Sequence, residues 1–284
     1  MLIARYRDDQ AVHLGVVDGS TVRPIDTTRM SLGEDASRVG VAALAAAGWR
    51  DGQPLPLGQP QPLDSVRLLA PVPRPEKIFC VGVNYGLHAA EANLAPPPFP
   101  EIFAKFPNAI QDPNGPIVLL AGDPAVDYEG ELAIVIGSVA RNLTADTALQ
   151  AVAGYTVGND VSARTIQLRV TQWVTGKTPD TFCPIGPWMA TSGTVGDPQS
   201  LAISTVIGDE TLQSASTAQM IFTVEHLLVY LSSLVTLRPG DLILTGTPAG
   251  VGHSRKPARY LHAGDVVEVA IEGIGTLRNP VVSN

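Results

Sequence analysis

The chain has 284 residues, of which 45% are apolar and 16% are charged. These proportions are typical of a globular protein with a substantial core, and they exclude a disordered or fibrous chain. The formal net charge is −8 and lysine and arginine do not cluster, which argues against nucleic acids and anionic membranes as partners.

Residues 1–70 are predicted to form a small N-terminal α/β module. Three short strands are indicated, at 2–6, 11–17 and 21–25. The segment 36–48 is dominated by alanine and leucine and predicts a helix. The segment 51–64 is rich in proline and glycine and is typical of a linker. A catalytic domain is therefore predicted over residues 71–284.

The C-terminal part is predominantly strand-like. Strands are predicted at 77–84, 116–120, 131–140, 154–160, 240–246 and 264–273. One amphipathic helix is predicted over 224–236, because its apolar residues fall on one face and Thr223 can cap its N-terminus. The residues thus favour an α+β fold in which strands predominate.

The N-terminus and the two cysteines bear on the location of the protein. The first residues, MLIARYRDDQ, lack the apolar stretch of a signal peptide, and no run of about 18 apolar residues predicts a transmembrane helix. Cys80 and Cys183 are far apart and form no CxxC pair. We expect two reduced thiols in a cytoplasmic protein, with a disulfide between them as the alternative.

Two glutamates open the apolar strand in the segment YEGELAIVIG. Glu129 and Glu131 are two positions apart, so their side chains point the same way in a strand, about 7 Å apart along it. Such close like charges raise each other's pKa unless a cation lies between them. Asp160, at the end of the next predicted strand, is a candidate third ligand. An all-oxygen site suits Mg²⁺, Mn²⁺ or Ca²⁺. From the spacing alone, a solvated strand face stays an open alternative.

Two further segments carry candidate polar groups. His88 and Glu91 share a face of a short predicted helix, where the carboxylate can orient the imidazole as a general-base dyad. Without other information the pair can equally be exposed helical residues. Lys177, in the loop TGKTPDTF, can hold an anion or be solvated. The loop TGTPAGVG lacks both common phosphate-loop patterns, and it can present Thr247 and backbone N–H groups to a carboxylate.

Seven segments follow one another in order between about Lys77 and Val282: KIFCVGVNYGLHAAE, DYEGELAIVIG, GYTVGNDVSAR, QWVTGKTPDTFCPIGPW, MIFTVEHLLVYLS, LRPGDLILTGTPAGVG and GDVVEVAIEGIGTLRNPV. Together they resemble the fumarylacetoacetate hydrolase family, in particular its short acylpyruvase-like members. The resemblance implies a mixed β-sandwich roll, usually a homodimer, with Mg²⁺ or Mn²⁺ in the C-terminal domain.

The same resemblance implies three groups of site residues. The metal carboxylates correspond to Glu129, Glu131 and Asp160. The substrate-binding residues correspond to Arg164, Gln167, Thr247 and Lys105. The catalytic residues correspond to Lys177 and to the pair His88 and Glu91, which the shorter members carry on a mobile lid.

The activity implied by the resemblance is metal-dependent hydrolysis of a C–C bond in a small 1,3-diketo acid such as an acylpyruvate. The same groups also suit decarboxylation of a β-keto acid of the oxaloacetate type, or isomerisation of a 2-hydroxy-dienedioate. A metal-bound structural or ligand-binding protein is the non-enzyme alternative. The chain departs from the usual family pattern at NYGLH, Thr165 and Ser216, so the exact substrate stays open.

Overall fold

A computed structural model gives the fold, and it describes residues 1–30, 32, 36 and 40–284. Within these residues the strands are β1 (Leu2–Arg7), β2 (Val12–Asp18), β3 (Thr21–Pro24), β4 (Gln61–Pro62), β5 (Arg67–Leu69), β6 (Ile78–Gly82), β7 (Glu101–Lys105), β8 (Ile110–Gln111), β9 (Ile117–Val118), β10 (Val126–Asp127), β11 (Gly130–Ile136), β12 (Val152–Asn159), β13 (Ser162–Ala163), β14 (Cys183–Thr191), β15 (Ala202–Ile207), β16 (Glu210–Ser216), β17 (Leu242–Leu244), β18 (Val266–Ile271) and β19 (Gly275–Val282).

The helices among the described residues are short. They are α1 (Ala42–Ala46), α2 (Gly86–Glu91), α3 (Ala145–Ala148), α4 (Arg164–Gln167), α5 (Val174–Lys177), α6 (Ser192–Val195) and α7 (Val224–Leu234). Single 3-10 turns lie at Leu63–Ser65, Pro107–Ala109, Leu149–Ala151, Thr217–Gln219 and Gly252–Ser254. The predicted α+β class with a predominance of strands is confirmed.

Two large sheets organise these strands. The first has twelve strands, with the order β4-β3-β2-β1-β14-β12-β11-β17-β6-β7, while β5 pairs with β1 and β8 with β14. The second has five strands, in the order β16-β15-β18-β19-β9. β10 and β13 form a separate two-stranded ribbon beside the start of β11.

Strand β11 lies near the middle of the larger sheet and is buried on both faces. Leu132, Ile134 and Ile136 point into one apolar cluster, which also contains residues of α7 and of the five-stranded sheet. Ala133 and Val135 point into a second cluster on the other face. Burial on both faces explains why this strand reads as a continuous apolar run rather than as an alternating pattern.

Helix α7 is the longest helix that the structure describes, and it covers one face of the sheet. The Thr223 hydroxyl accepts a hydrogen bond from the His226 N–H (3.2 Å), as the predicted N-cap requires. The helix ends at Leu234 instead of residue 236. We expected Leu234 on the apolar face with the other apolar residues of this helix, but its side chain is exposed. Among the described helices, none has the length and apolarity to cross a membrane.

The first 70 residues contribute directly to the larger sheet. All three predicted strands are confirmed as β1, β2 and β3, and β1 lies between β2 and β14. The segment 51–64 is not merely a linker, because Gln61–Pro62 pairs with β3. Of the helix predicted over 36–48, the structure shows Ala42–Ala46, while residues 37–39 lie outside the described residues.

The remaining predicted strands exist but several are shorter than expected. The segment 116–120 keeps only Ile117–Val118, and 240–246 keeps only Leu242–Leu244. Cys80 and Cys183 are free thiols in the interior, as expected. Burial raises the pKa of both, that of Cys183 to about 12, so both thiols stay protonated and poorly reactive at neutral pH.

Candidate active site

The candidate site lies where β11 begins and β12 ends. The two strands are antiparallel neighbours with Gly130 opposite Asn159, and the Asp160 N–H donates to the Glu129 carbonyl oxygen (2.9 Å). This register brings carboxylates that are about 30 positions apart in sequence to one point. Beside them is a cavity of about 140 Å³, lined by Val81, Gly82, Val83, His88, Ala92, Leu94, Phe103, Glu129, Glu131, Arg164, Gln167, Leu168, Trp173, Lys177, Thr247, Val251, His253 and Ser254.

The predicted carboxylate triad comes together in the structure. Glu129, Glu131 and Asp160 are all buried, and each offers an oxygen that lies within 4.8 Å of the other two. Hard oxygen donors at this spacing suit a hard divalent cation such as Mg²⁺, Mn²⁺ or Ca²⁺.

Three buried cationic side chains surround the triad, namely Lys105, Arg164 and Lys177. Lys177 Nζ lies 2.6 Å from Glu129 Oε2 and 2.9 Å from Asp160 Oδ2. One Arg164 guanidinium nitrogen, Nη2, lies 2.7 Å from Glu129 Oε1. Burial by itself would raise the pKa of Glu129, but the charges of Lys177 and Arg164 outweigh it and lower that pKa to about 2. Glu129 is therefore ionised at any physiological pH.

Glu131 has different surroundings. Its Oε2 accepts a hydrogen bond from the Gly246 N–H (2.7 Å), but it takes part in none of the ion pairs of the described chain. Burial, together with the negative charges of Asp160 and Glu129, raises its pKa well above the usual value. A buried carboxylate with one oxygen free of hydrogen bonds and no cationic partner is the donor that a bound cation would complete.

The charge balance points the same way. Four buried carboxylates, Asp127, Glu129, Glu131 and Asp160, face three buried cations, Lys105, Arg164 and Lys177. With all four carboxylates ionised, one negative charge would be uncompensated and costly, so either a proton on Glu131 or a bound cation balances it. The residues of this site fit a divalent cation.

Lys105, predicted to bind substrate, pairs with a carboxylate of the triad. It ends β7, its side chain is fully buried, and Nζ contacts Asp160 Oδ1 and the Val161 carbonyl oxygen (3.0 Å). It is absent from the described lining of the cavity. Its predicted contact with substrate stays a prediction, and what the structure shows is an ion pair in which Lys105 neutralises Asp160.

The predicted histidine–glutamate dyad is formed. His88 and Glu91 lie on α2, with His88 Nδ1 2.7 Å from Glu91 Oε1. The other carboxylate oxygen, Oε2, accepts a hydrogen bond from the Gly250 N–H (2.9 Å). Glu91 thus fixes the imidazole and also attaches α2 to the loop after β17, so that His88 lies on the wall of the cavity.

The other predicted site residues also line the cavity. Arg164 and Gln167 are neighbours on α4, where Arg164 Nη1 donates to Gln167 Oε1 (3.0 Å). The Thr247 hydroxyl donates to the Gly130 carbonyl oxygen (3.1 Å) and accepts from the side-chain amide of Gln213 (2.7 Å). Lys177, predicted in a loop, is instead the last residue of the one-turn helix α5.

Comparison with known proteins places this site in a family. The model of the fumarylacetoacetate (FAA) hydrolase C-terminal domain matches residues 77–282. The chain belongs to the fumarylacetoacetate hydrolase family. A second model, of the Rv2993c-like N-terminal region, matches residues 1–71. The predicted family is thereby confirmed, and the protein is a member of a family of enzymes.

Relatives within this family carry several different activities in their names. The Rattus norvegicus protein named oxaloacetate tautomerase Fahd2a, mitochondrial, is 45% identical over 94% of this chain and 84% of its own length. The Mycobacterium marinum 2-hydroxyhepta-2,4-diene-1,7-dioate isomerase structure is 39% identical, with a TM-score of 0.82 over 100% of this chain and 99% of its own. The Exiguobacterium antarcticum fumarylacetoacetate hydrolase structure is 37% identical, with a TM-score of 0.85 over 100% of both chains.

Two buried polar residues of this family member were missed by the sequence analysis. Asp127 accepts hydrogen bonds from Arg164 Nε (2.9 Å) and from the Gly252 N–H (2.8 Å). Gln213, on β16, reaches Thr247 from the second sheet. Asp127 lies two positions before Glu129, so the alternation 127, 129, 131 was a usable signal for one face. No local sequence pattern indicates that Gln213 belongs to the site.

Proposed function

We propose that this protein catalyses proton transfer on a small 2-keto acid, and specifically the keto–enol tautomerisation of oxaloacetate. The observation that carries the proposal is that His88, held by Glu91, lines the same cavity as Glu129, Glu131, Arg164 and Lys177. Relatives named oxaloacetate tautomerase and 2-hydroxyhepta-2,4-diene-1,7-dioate isomerase support it, because both names describe proton movement without loss of carbon.

The dyad supplies the acid–base group. Because His88 Nδ1 is bound to Glu91, its other ring nitrogen, Nε2, is the one left to exchange a proton with C3 of the substrate. The second bond of Glu91, from the Gly250 N–H, limits rotation of the carboxylate and hence of the imidazole.

The cationic side chains stabilise the negative charge that develops on the enolate oxygen. Burial would lower the pKa of Lys177, but Asp160 and Glu129 raise it above its ordinary value, so the amine stays charged and acts as an electrostatic group rather than as a base. Arg164 can bind the substrate carboxylate. A divalent cation on the triad would act as a Lewis acid toward the keto oxygen.

C–C bond hydrolysis of an acylpyruvate is the second candidate. The family model and the Exiguobacterium antarcticum fumarylacetoacetate hydrolase favour it, and the His88–Glu91 dyad can deprotonate a water as well as a carbon acid. Decarboxylation of oxaloacetate is a third outcome, since it needs only an enolate-stabilising site.

A substrate panel with Mg²⁺ and with Mn²⁺ separates these reactions. We expect the enol form of oxaloacetate to be converted to the keto form with no release of CO₂, at a rate above that of the metal in buffer alone. Release of pyruvate and a carboxylic acid from an acylpyruvate would instead establish a hydrolase, and CO₂ release a decarboxylase. Turnover of none of these, or of the hydroxy-dienedioate, would contradict an enzymatic role on keto acids.

A homodimer is also our proposal, on the basis of the family resemblance. Light scattering should give twice the 29.8 kDa chain mass. A monomer mass at micromolar concentration would contradict it. The cytoplasmic location stays a prediction.

A further inference from the structure

His253 lines the cavity, but the reaction proposed above gives it no role. It follows the loop after β17, and its backbone N–H donates to Asp127 Oδ2 (3.0 Å). Arg164 Nε donates to the same carboxylate oxygen (2.9 Å). One fully buried oxygen therefore fixes the main chain of His253 at a set position relative to the guanidinium of Arg164.

The ring of His253 is also oriented. Its Nδ1 lies 2.9 Å from the Tyr260 hydroxyl oxygen. Burial, followed by the charge of Asp127, raises the pKa of Tyr260, so the phenol is neutral and can donate its proton to Nδ1. In the tautomer in which Nδ1 accepts this proton, Nε2 carries the ring proton and is a hydrogen-bond donor.

The polar groups of the cavity are unevenly distributed. Arg164 and Lys177 are buried in the ion-pair network at its floor, next to the triad. His253 is exposed and Ser254 is half-buried, so these two lie toward solvent. Leu94, Phe103 and Trp173 add apolar and aromatic surface to the wall. A substrate that binds one carboxylate beside Arg164 and Lys177 therefore has a second set of donors, His253 and Ser254, at the solvent end of the cavity.

We propose that His253 binds the second carboxylate of a dicarboxylate substrate and so makes the site selective for 2-keto diacids over 2-keto monoacids. This assignment rests on the proposed function, in which Arg164 and Lys177 hold the 2-keto acid end. Asp127 sets the spacing between the two ends, because it anchors both Arg164 and the His253 main chain.

Pyruvate and oxaloacetate form a matched pair for the test, since they differ by the one carboxylate on C3. Calorimetric titration with saturating Mg²⁺ measures both dissociation constants for the wild type and for His253→Ala. We expect the variant to bind oxaloacetate about ten-fold more weakly, the lower range for a hydrogen bond to a charged group, and to bind pyruvate as the wild type does. Equal weakening of both ligands, or of neither, would overturn the proposal.

Two further variants separate binding from folding. His253→Gln keeps an N–H donor at a similar reach and should recover part of the oxaloacetate affinity. His262→Ala removes an exposed histidine outside the described cavity lining and should change neither constant. Loss of oxaloacetate affinity in His262→Ala, or no recovery in His253→Gln, would count against the assignment.

Failure of the two proposals can be told apart. If the wild type lacks tautomerase turnover but His253→Ala selectively loses oxaloacetate affinity, the proposed reaction is wrong and the dicarboxylate site stands. If turnover is present and the variant keeps its selectivity, the reaction stands and the role of His253 is wrong.

Discussion

At the scale of single residues, the three carboxylates of the site are not equivalent. Lys177 contacts both Glu129 and Asp160, whereas Glu131 receives only the Gly246 N–H among the contacts described. The structure therefore assigns Glu131 the weakest electrostatic support of the three. This lack of a contacting cation contributes to the raised pKa of Glu131.

The raised pKa of Glu131 predicts that metal binding releases a proton. Without metal, Glu131 stays protonated at pH values above 4.5, the usual pKa of a glutamate. Because the folded state holds this proton more tightly than the unfolded state, the protonated group stabilises the metal-free protein at low pH, and this stabilisation is lost as pH rises through the raised pKa. A cation competes with that proton, so Mg²⁺ affinity should increase with pH. Titration calorimetry in buffers of different ionisation enthalpy measures the release. A pH-independent affinity with no proton release would contradict this prediction.

Residue roles could be predicted from sequence only in part. The spacing of Glu129 and Glu131 indicated a shared face, the end of the next predicted strand offered Asp160, and the family motifs supported all three as metal ligands. The motifs also suggested Lys105 near the substrate, but a motif gives no direction for a long side chain. In the structure this side chain forms an ion pair with Asp160.

At the scale of elements, helix α2 and the loop after β17 are held together by Glu91. One oxygen of Glu91 binds His88 and the other accepts the Gly250 N–H. The same loop also donates to Glu131 through Gly246 and to Asp127 through Gly252. The loop thus connects the dyad, the triad and the anchor of Arg164.

The change Glu91→Ala should separate catalysis from metal binding. It removes the carboxylate that orients His88 and the acceptor for Gly250, so turnover should fall by about 100-fold or more. Mg²⁺ affinity should stay unchanged, and hydrogen exchange of residues 86–91 should become faster. Glu76→Ala, at an exposed side chain, is the control and should match the wild type. Wild-type turnover or unchanged exchange in Glu91→Ala would contradict the account.

Elements with strong local signals were predicted correctly. Helix α7 has a clear cap and an apolar stripe, and β11 has a long apolar run. The longer strands β7, β14, β15, β16 and β19 were not predicted, and 116–120 was predicted longer than the two residues of β9. Some of these segments pair with partners that are distant in sequence, as β9 does with β19 and β14 with β1.

At the scale of the whole molecule, the N-terminal strands and the catalytic part share one sheet. Strand β1 pairs with β2 on one side and with β14 on the other, and β14 in turn pairs with β12 beside the site. No periodicity within residues 1–70 indicates such a neighbour. The connectivity therefore could not be predicted from local patterns.

The shared sheet predicts that both parts unfold together. Trp49 reports on the N-terminal part, while Trp173 and Trp188 report on the catalytic part. In urea, Trp49→Phe and the double variant Trp173→Phe, Trp188→Phe should each show one fluorescence transition, with its midpoint equal to that of the far-ultraviolet circular dichroism transition of the same variant. A fluorescence midpoint that precedes the loss of secondary structure would show that the two parts unfold independently.

The central claim is that the three carboxylates hold a divalent cation that the keto acid reaction needs. Glu131→Gln tests it most directly, because glutamine keeps an acceptor for the Gly246 N–H but cannot ionise to bind a cation. We predict that Mg²⁺ and Mn²⁺ affinity and turnover of enol oxaloacetate each fall by at least about 100-fold. Glu268→Gln, at a partly exposed glutamate of β18, should be unaffected. Full turnover by Glu131→Gln, or by the wild type after chelation of all metal, would contradict the claim.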